Sequence, residues 1–253
     1  TLNEEEYIGE CLNSLINQSL DSTNYMIMVL DGGSSDNTTR IVNELIDRSK
    51  EIGGPKIVIL DNPGRYVAEA RNIALDSLPA SVTLMVELIG HCTVPENHLE
   101  KRLEVWNNLV NKSDENIAAL GVKVLPSTGQ KNVGETWIES ALSSKFGSGS
   151  GQFDNFSGIS KTKVPAFCMH SRKAVESVDG WDTDFITSQD SDLSMRLIKE
   201  GYELYRTDAT FVNMVKRSNF TSWLKMGYRY GFWRTKTNQK HKMRISKREF
   251  LPW

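Results

Sequence analysis

The sequence predicts an α/β protein built on a mostly parallel, doubly wound sheet with helices on both faces. Three observations carry this. An apolar run, Met26-Ile27-Met28-Val29-Leu30, breaks abruptly into Asp31-Gly32-Gly33-Ser34-Ser35-Asp36-Asn37-Thr38 and restarts as a helix. Short apolar runs then alternate with segments of helical periodicity through the first half of the chain, the signature of consecutive βα units. Strong turn signals such as Asp61-Asn62-Pro63-Gly64 separate them. With 253 residues, 39% hydrophobic and 25% charged, the chain is long enough for one large domain or two small ones around a real core.

Residues 4–18 read as a helix, since Ile8, Leu12, Leu15 and Ile16 recur at i, i+4, i+7 and i+8 and Glu4, Glu5 and Glu6 suit its positive end. Residues 25–30 form a strand. A helix follows over 38–50, with Ser35, Asp36 or Asn37 as cap. Residues 56–60 are a strand and 65–77 a helix carrying Val67, Ala70, Ile73 and Ala74 on one face. A strand over 81–88 leads into Ile89-Gly90-His91, and Pro95 suits the first turn of a helix to about residue 110. Further strand and helix are expected over 117–124 and 134–145. From 146 to 163 the pattern dissolves into glycine and serine; a linker and a binding loop both fit, and Phe153 and Phe156 favour the loop. A short strand over 164–169, a helix over 171–178, the turn Asp179-Gly180-Trp181-Asp182 and a helix from Ser188 to about Glu200, closed by Gly201, come next. Two short strands, 203–206 and 210–214, precede a helical segment over 220–232.

The net charge of −2 hides an asymmetry, because 11 of the 30 Lys+Arg but only one of the 32 Asp+Glu fall after residue 212. Residues 1–212 therefore read as the globular body, with a first half over 1–125 and a second over 126–212, and residues 213–253 as a basic tail. The tail mixes Trp223, Tyr228, Tyr230 and Phe232 with Lys225, Arg229 and Arg234, as an interfacial amphipathic helix does; a solvated helix is the alternative. The expected partner is an anionic membrane surface. No recognition motif supports nucleic acid. No run reaches the roughly 18 apolar residues of a membrane span, and no signal peptide is visible. Cys11, Cys92 and Cys168 are scattered, as thiols in a reducing compartment are. Together these place the chain at the cytoplasmic face of a membrane. It opens at Thr1 with neither methionine nor a preceding strand, so its natural beginning is expected to lie upstream, and a membrane portion is expected beyond Phe250-Leu251-Pro252-Trp253.

Four stretches occur in an order that resembles one family. Thr1-Leu2-Asn3-Glu4-Glu5 is similar to the end of a first strand and start of a first helix, and Asp31 to Thr38 to a second-strand loop. Ala70-Arg71-Asn72-Ile73-Ala74 is similar to a nucleotide-contacting helix, and Ser188-Gln189-Asp190 to an acidic motif. The family is that of the inverting family 2 glycosyltransferases, with the GT-A nucleotide-diphospho-sugar fold, and the resemblance covers nearly the whole chain. The glycine-serine loop, Gln189-Asp190 and Tyr230-Gly231 bring it nearest to membrane-associated members that build exopolysaccharides or lipid-linked glycans, of the succinoglycan-biosynthesis type.

The resemblance implies transfer from a nucleotide-diphospho-sugar, a UDP-sugar favoured, to a glycan or polyprenyl-linked acceptor. Donor contacts would fall to Thr1, Asn3, Glu4, Asp31, Gly33, Arg71, Glu87 and Gly90; for Arg71 the alternative is an ion pair with Glu69 or Asp76. The acceptor side would include Trp181, Asp182 and Gln189, with Trp181 alternatively a core aromatic. Asp190 would be the general base, its alternative a helix cap. Mg²⁺ or Mn²⁺ would normally be held by an Asp-x-Asp motif, whose place is taken here by Ile89-Gly90-His91. The first acid is Ile89, leaving His91 as the metal ligand. Glu87, two residues earlier, either compensates for that loss or pairs inside the domain. The substitution keeps a second function in view, a non-catalytic nucleotide-sugar-binding homologue acting as a partner subunit.

Overall fold

The computed structural model describes residues 1–112, 116–126, 156–215 and 220–244. The helix expected over 134–145, most of the glycine-serine stretch and the last nine residues lie outside them.

Strand β1 (Met26–Asp31) pairs in parallel with β2 (Lys56–Asp61), in a register that sets Asp31 opposite Asp61. Burial alternates along β1, so Ile27, Val29 and Asp31 all face inward. On the other edge Thr1 donates to the Leu30 carbonyl at 2.6 Å and accepts from Gly32 N–H at 2.9 Å, the pattern of a parallel bridge. A second sheet has the order β3-β7-β5-β8-β4, built from Leu84–Val86, Met169–Ser171, Ile117–Pro126, Glu203–Met214 and Cys92–Thr93, with β6 (Ser160–Lys161) also on β8. Its longest ladder, β5 with β8, is parallel; the short strands β3, β4, β6 and β7 pair antiparallel. The sheet is therefore mixed, with its long ladders parallel as expected.

Helices cover both faces. Ala119 and Leu204 pack with α3 (Val67–Ser77), α5 (Arg172–Glu176) and α6 (Gln189–Lys199), while their neighbours Leu120 and Tyr205 pack with α4 (His98–Lys112). That is the period-2 alternation of a strand buried on both sides. Helices α1 (Ile8–Ile16) and α2 (Thr38–Glu51) close over β1 and β2. Leu120, Leu193, Leu197 and Leu204 are at most 1% exposed, and each such side chain contributes about 1.5–3 kcal/mol by leaving water. Among them runs one polar stitch. Arg102, wholly buried, donates to the Leu120 and Phe167 carbonyls and to His98 Nε2, whose ring then presents Nδ1 3.0 Å from Thr210 Oγ1. Because arginine only donates, Nε2 must accept and the proton sits on Nδ1. Burial, reinforced by Arg102, pushes His98 down to about 2, so the ring stays neutral.

Several boundaries move for local reasons. The first helix starts at Ile8, and the Glu4 and Glu5 amides before it donate to Thr38 Oγ1 and Asp36 Oδ2. Arg65, at φ 64°, cannot be helical, and α3 starts at Val67. Pro165 has no N–H and Phe167 has φ 47°, so pairing expected over 164–169 begins at Met169. The two expected strands over 203–214 are one strand, β8, with a register slip between Thr207 and Phe211 where the break was expected. Finally, α7 (Phe220–Lys240) runs eight residues past its expected end.

Gly121 on β5 marks the closest approach in the sheet. A Cβ there would stand 2.5 Å from Pro165 Cβ and 2.8 Å from the Ala166 amide and carbonyl. Gly121→Ala is expected to lower the unfolding free energy by about 2–3 kcal/mol, as overpacking against backbone does, measured by urea denaturation.

Candidate active site

The loop after β1 holds itself. Asp31, 4% exposed, accepts from the Gly33 and Ser34 amides on Oδ2 at 3.0 and 2.9 Å and from Ser34 Oγ on Oδ1 at 2.6 Å. Gly33 has φ 81°, the left-handed conformation that lets the chain fold back over this carboxylate. Asn3, itself at φ 52°, accepts from Ser35 N–H at 2.8 Å, and Asp36 accepts from the Thr38 and Glu5 amides, capping α2 as well as shaping the loop. Arg65 is exposed beside it, with Nη2 3.8 Å from where a Gly33 Cβ would stand. Sequence reasoning passed over Arg65, whose only signal was a cation directly after a Pro-Gly turn.

The Ile89-Gly90-His91 stretch meets the chain's first residues. A Cβ on Gly90 would come within 3.0 Å of Thr1 Oγ1 and 3.1 Å of Glu4 Cγ, so a larger residue would fit only if those side chains shifted. His91 Nδ1 lies 2.8 Å from Glu4 Oε1. The side chain of Ile89 packs against the apolar cluster of α1, α2 and β1, and the Cys11 and Cys92 thiols converge on its carbonyl at 3.5 and 2.9 Å. An apolar anchor thus stands where an acid was expected. Among the described residues no group of three His, Cys, Asp or Glu side chains is placed to hold a metal. The donor set that is present, an imidazole backed by a carboxylate, fits a divalent ion through Nε2 as a single protein donor, with Glu4 fixing the tautomer and ring.

Arg71 and Glu87 meet below this stretch. Arg71 Nη2 is 2.6 Å from Glu87 Oε2, His170 Nε2 is 2.8 Å from Glu87 Oε1, and all three are largely buried. The Arg71 guanidinium lies 5.7 Å from the Trp181 ring centre, and His170 meets that ring edge-on. Glu69, one of the alternative partners for Arg71, is engaged by the Tyr66 amide at the start of α3. Glu87 pairs inside the domain. Arg71 Nη1, His170 Nδ1 and Trp181 Nε1 are buried with no partner among the described residues. Asn72, next to Arg71, donates to the Trp181 carbonyl and accepts from its amide, both at 2.8 Å, and Gly180 at φ 69° leaves just room for it. His170 and Asn72 were overlooked as functional residues; their signals were a histidine in an apolar strand and an amide within a helix.

Asp190 stands exposed in the first turn of α6, its Oδ1 accepting from its neighbour Ser191 N–H at 2.7 Å. Ser188 before it has φ 68°, a strained turn of about 1–2 kcal/mol that aims the helix start. Gln189 Oε1 is buried without a partner among the described residues. Trp181, at 2% exposure, occupies a core position, and Asp182 is bound to Lys240 at 2.7 Å. The field of this region converges on Cys168, whose thiol burial pushes up; Glu87 and Asp190 add to that, and Arg102 and Arg71 oppose it.

Residues 1–114 match the model of glycosyl transferase family 2, and residues 91–241 that of glycosyl transferase family group 2. The chain belongs to the family 2 glycosyltransferases. This family 2 chain is 28% identical over 251 residues to the succinoglycan biosynthesis protein ExoA of Rhizobium meliloti, covering 99% of itself and 72% of that protein. It is 28% identical over 245 residues to a dolichyl N-acetyl-alpha-D-glucosaminyl phosphate 3-beta-D-2,3-diacetamido-2,3-dideoxy-beta-D-glucuronosyltransferase of Methanococcus voltae, covering 91% of itself and 70% of that protein. The mannosyltransferase PcManGT of Pyrobaculum calidifontis, solved with GDP-Man and Mn²⁺, superposes with a TM-score of 0.66 at 17% identity, over 98% of this chain and 63% of that one. TarS of S. aureus, solved with UDP-GlcNAc, gives 0.58 at 15% identity over 87% of this chain and 57% of that one. The family 2 chain thus spans less than two thirds of these solved chains, and the likeness establishes the GT-A fold.

The buried ion pair makes stability pH-dependent. Burial alone would raise the Glu87 carboxyl, but Arg71 and His170 outweigh it and hold it below its usual 4.5. A depressed carboxylate stabilises the fold above its unfolded pKa and loses that contribution as pH falls through the folded one. Urea midpoints are therefore expected to fall as pH drops below about 4.5. Glu87→Gln should flatten that slope and cost about 3 kcal/mol at neutral pH by leaving Arg71 unpaired.

Proposed function

We propose that this family 2 chain is an inverting transferase that moves a sugar from a nucleotide-diphospho-sugar, a UDP-sugar by our reading, to a glycan or polyprenyl-linked acceptor. The observation that carries the reading is Asp190, an exposed carboxylate in the first turn of α6 that no cationic side chain among the described residues binds. The acceptor hydroxyl oxygen attacks the anomeric carbon as its proton passes to Asp190, the bond to the diphosphate breaks with its electron pair, and configuration inverts in one displacement. The dipole of α6 keeps the carboxylate ionised and so able to take the proton. Relatives acting on lipid-linked or polysaccharide glycans, and fold neighbours solved with UDP-GlcNAc and GDP-Man, support the substrate class.

On this reading Thr1 and Asp31 face the nucleoside, Asn3 and Glu4 hold the rim, and Gly33 and Gly90 allow the diphosphate close to the backbone. Arg65, and Arg71 through its unpartnered Nη1, supply cations against the developing charge. A Mg²⁺ or Mn²⁺ ion arriving with the diphosphate would take His91 as its protein donor and add positive charge at the leaving group. Glu87 acts from behind, by holding Arg71. Asp182 and Gln189 border the acceptor, and Trp181 supports them from the core. Helix α7 exposes Leu224, Tyr228 and Phe232 at 52, 81 and 50%, spaced i, i+4, i+8, beside exposed Lys225 and Arg229. No described helix is long and apolar enough to cross a membrane. This stripe supports peripheral docking on an anionic surface, at the cytoplasmic face.

Asp190→Asn is expected to abolish transfer while leaving the nucleotide-induced thermal shift intact. A panel of UDP, GDP, CMP and their sugars, with and without Mn²⁺, identifies the donor class and the part played by His91. Loss of nucleotide binding together with transfer would count against the base assignment, and no shift for any nucleotide would favour a non-catalytic homologue. The protein should float with anionic vesicles and less so as salt rises; equal flotation with neutral vesicles would remove the electrostatic docking.

A further inference from the structure

The segment that carries Asp190 is bracketed by two acids, and one cation from the far end of the chain joins them. Lys240 Nζ lies 2.7 Å from Asp182 Oδ2 and 2.8 Å from Asp192 Oδ1. Asp192 is wholly buried and also takes Arg196 Nε and His241 Nε2, each at 2.7 Å. The Lys240 ammonium stands 4.9 Å from the Phe185 ring centre, inside the same segment, and Phe185 packs against Trp233 of α7. One turn before Lys240, Thr237 is 1% exposed. Between the two acids the backbone makes its left-handed turn at Ser188 directly before the helix. Asp182, Asp184, Asp190 and Asp192 crowd this short stretch, so without a cation across it the like charges would drive its ends apart. Burial alone would lower the Lys240 ammonium, yet the two carboxylates outweigh it and hold it above its usual range.

We propose that Lys240 is a positioning residue for transfer: by bridging Asp182 and Asp192 it fixes where Asp190 sits. The C-terminal helix is then a working part of the catalytic unit as well as a docking face. The inference rests on Asp190 being the base. It goes further in tying that base to a residue 26 positions beyond Met214, the end of the last strand of the sheet.

Lys240→Met keeps the apolar stem over Phe185 and removes the charge, and Lys240→Arg keeps both bridges within reach. Lys240 is 40% exposed on its side chain, so neither change disrupts a core. In the full-length chain Lys240→Met is expected to lower kcat about 10- to 100-fold with donor KM within about twofold, as misplacement of a reacting group does. Amide hydrogen exchange over residues 182–192 should accelerate, and Lys240→Arg should restore most of both. Unchanged kcat and exchange in Lys240→Met, or an arginine no better than methionine, would overturn the proposal. Asp190→Asn in the same assay separates the two readings. Full activity there removes Asp190 as the base whatever Lys240 does, whereas an inactive Asp190→Asn beside a fully active Lys240→Met overturns the positioning role alone.

Discussion

The buried contact among Arg71, Glu87 and His170 is the constraint on which the rest of the site depends. It ties helix α3 to the end of β3 and to strand β7, which already lie side by side in the sheet. A charge taken from water costs several kcal/mol and is tolerated only when paired, so Glu87 fixes both the height of Arg71 and the face His170 presents. Trp181 then closes over the group, and its backbone is clasped by Asn72 from the same helix. The turn leading to Asp190 is thereby measured from the helix that carries Arg71. On the proposed reading, donor side and acceptor side share one ruler.

The unpartnered buried atoms follow the same logic. Arg71 Nη1, His170 Nδ1, Trp181 Nε1 and Gln189 Oε1 lie around or just after this contact. Among the described residues Thr1 Oγ1, Asn62 Oδ1, Arg102 Nε and Arg196 Nη2 are also buried without a partner, while the two Nη atoms of Arg102 are answered by two carbonyls and His98. An unsatisfied buried donor or acceptor costs about 1–3 kcal/mol, so a concentration of them at one place is tolerable where ligand or ordered water completes them. That is the pattern of a binding cleft, and it falls where the proposed donor and acceptor meet.

Much of the architecture was legible because its signals are local. The apolar run before Asp31, the cap before α2 and the Asp-Asn-Pro-Gly turn each depend on residues close in sequence, and the family motifs they carry stand in the expected order. What was not legible depends on distant partners. The two residues of β4 become a strand only because Met214 and Asn213 lie beside them, and the irregularity in β8 reflects its register against β5. The site divides in the same way. The loop from Asp31 to Thr38 could be read directly, including the capping role of Asp36. The engagement of Glu87 by His170, 83 positions away, and of Asp192 by His241 could not, since no local pattern marks them.

The isoleucine at position 89 has a consequence beyond the loss of a ligand oxygen. On the proposed reading a diphosphate approaches this stretch, and a carboxylate here without its metal would repel it. Two like charges 4 Å apart near a protein surface repel by about 4 kcal/mol at an effective dielectric of 20. Replacing the acid by an apolar anchor removes that repulsion along with the metal affinity, so the two effects on nucleotide binding oppose one another. The loop keeps its shape by other means, since the half-buried Ile89 side chain packs against the core and its carbonyl accepts from two thiols. Positive charge then comes from side chains, from Arg65 beside Gly33 and from Arg71 below. On the proposed reading a site built this way leans less on a metal for ground-state binding, and among the described residues His91, held by Glu4, is the donor left to a metal.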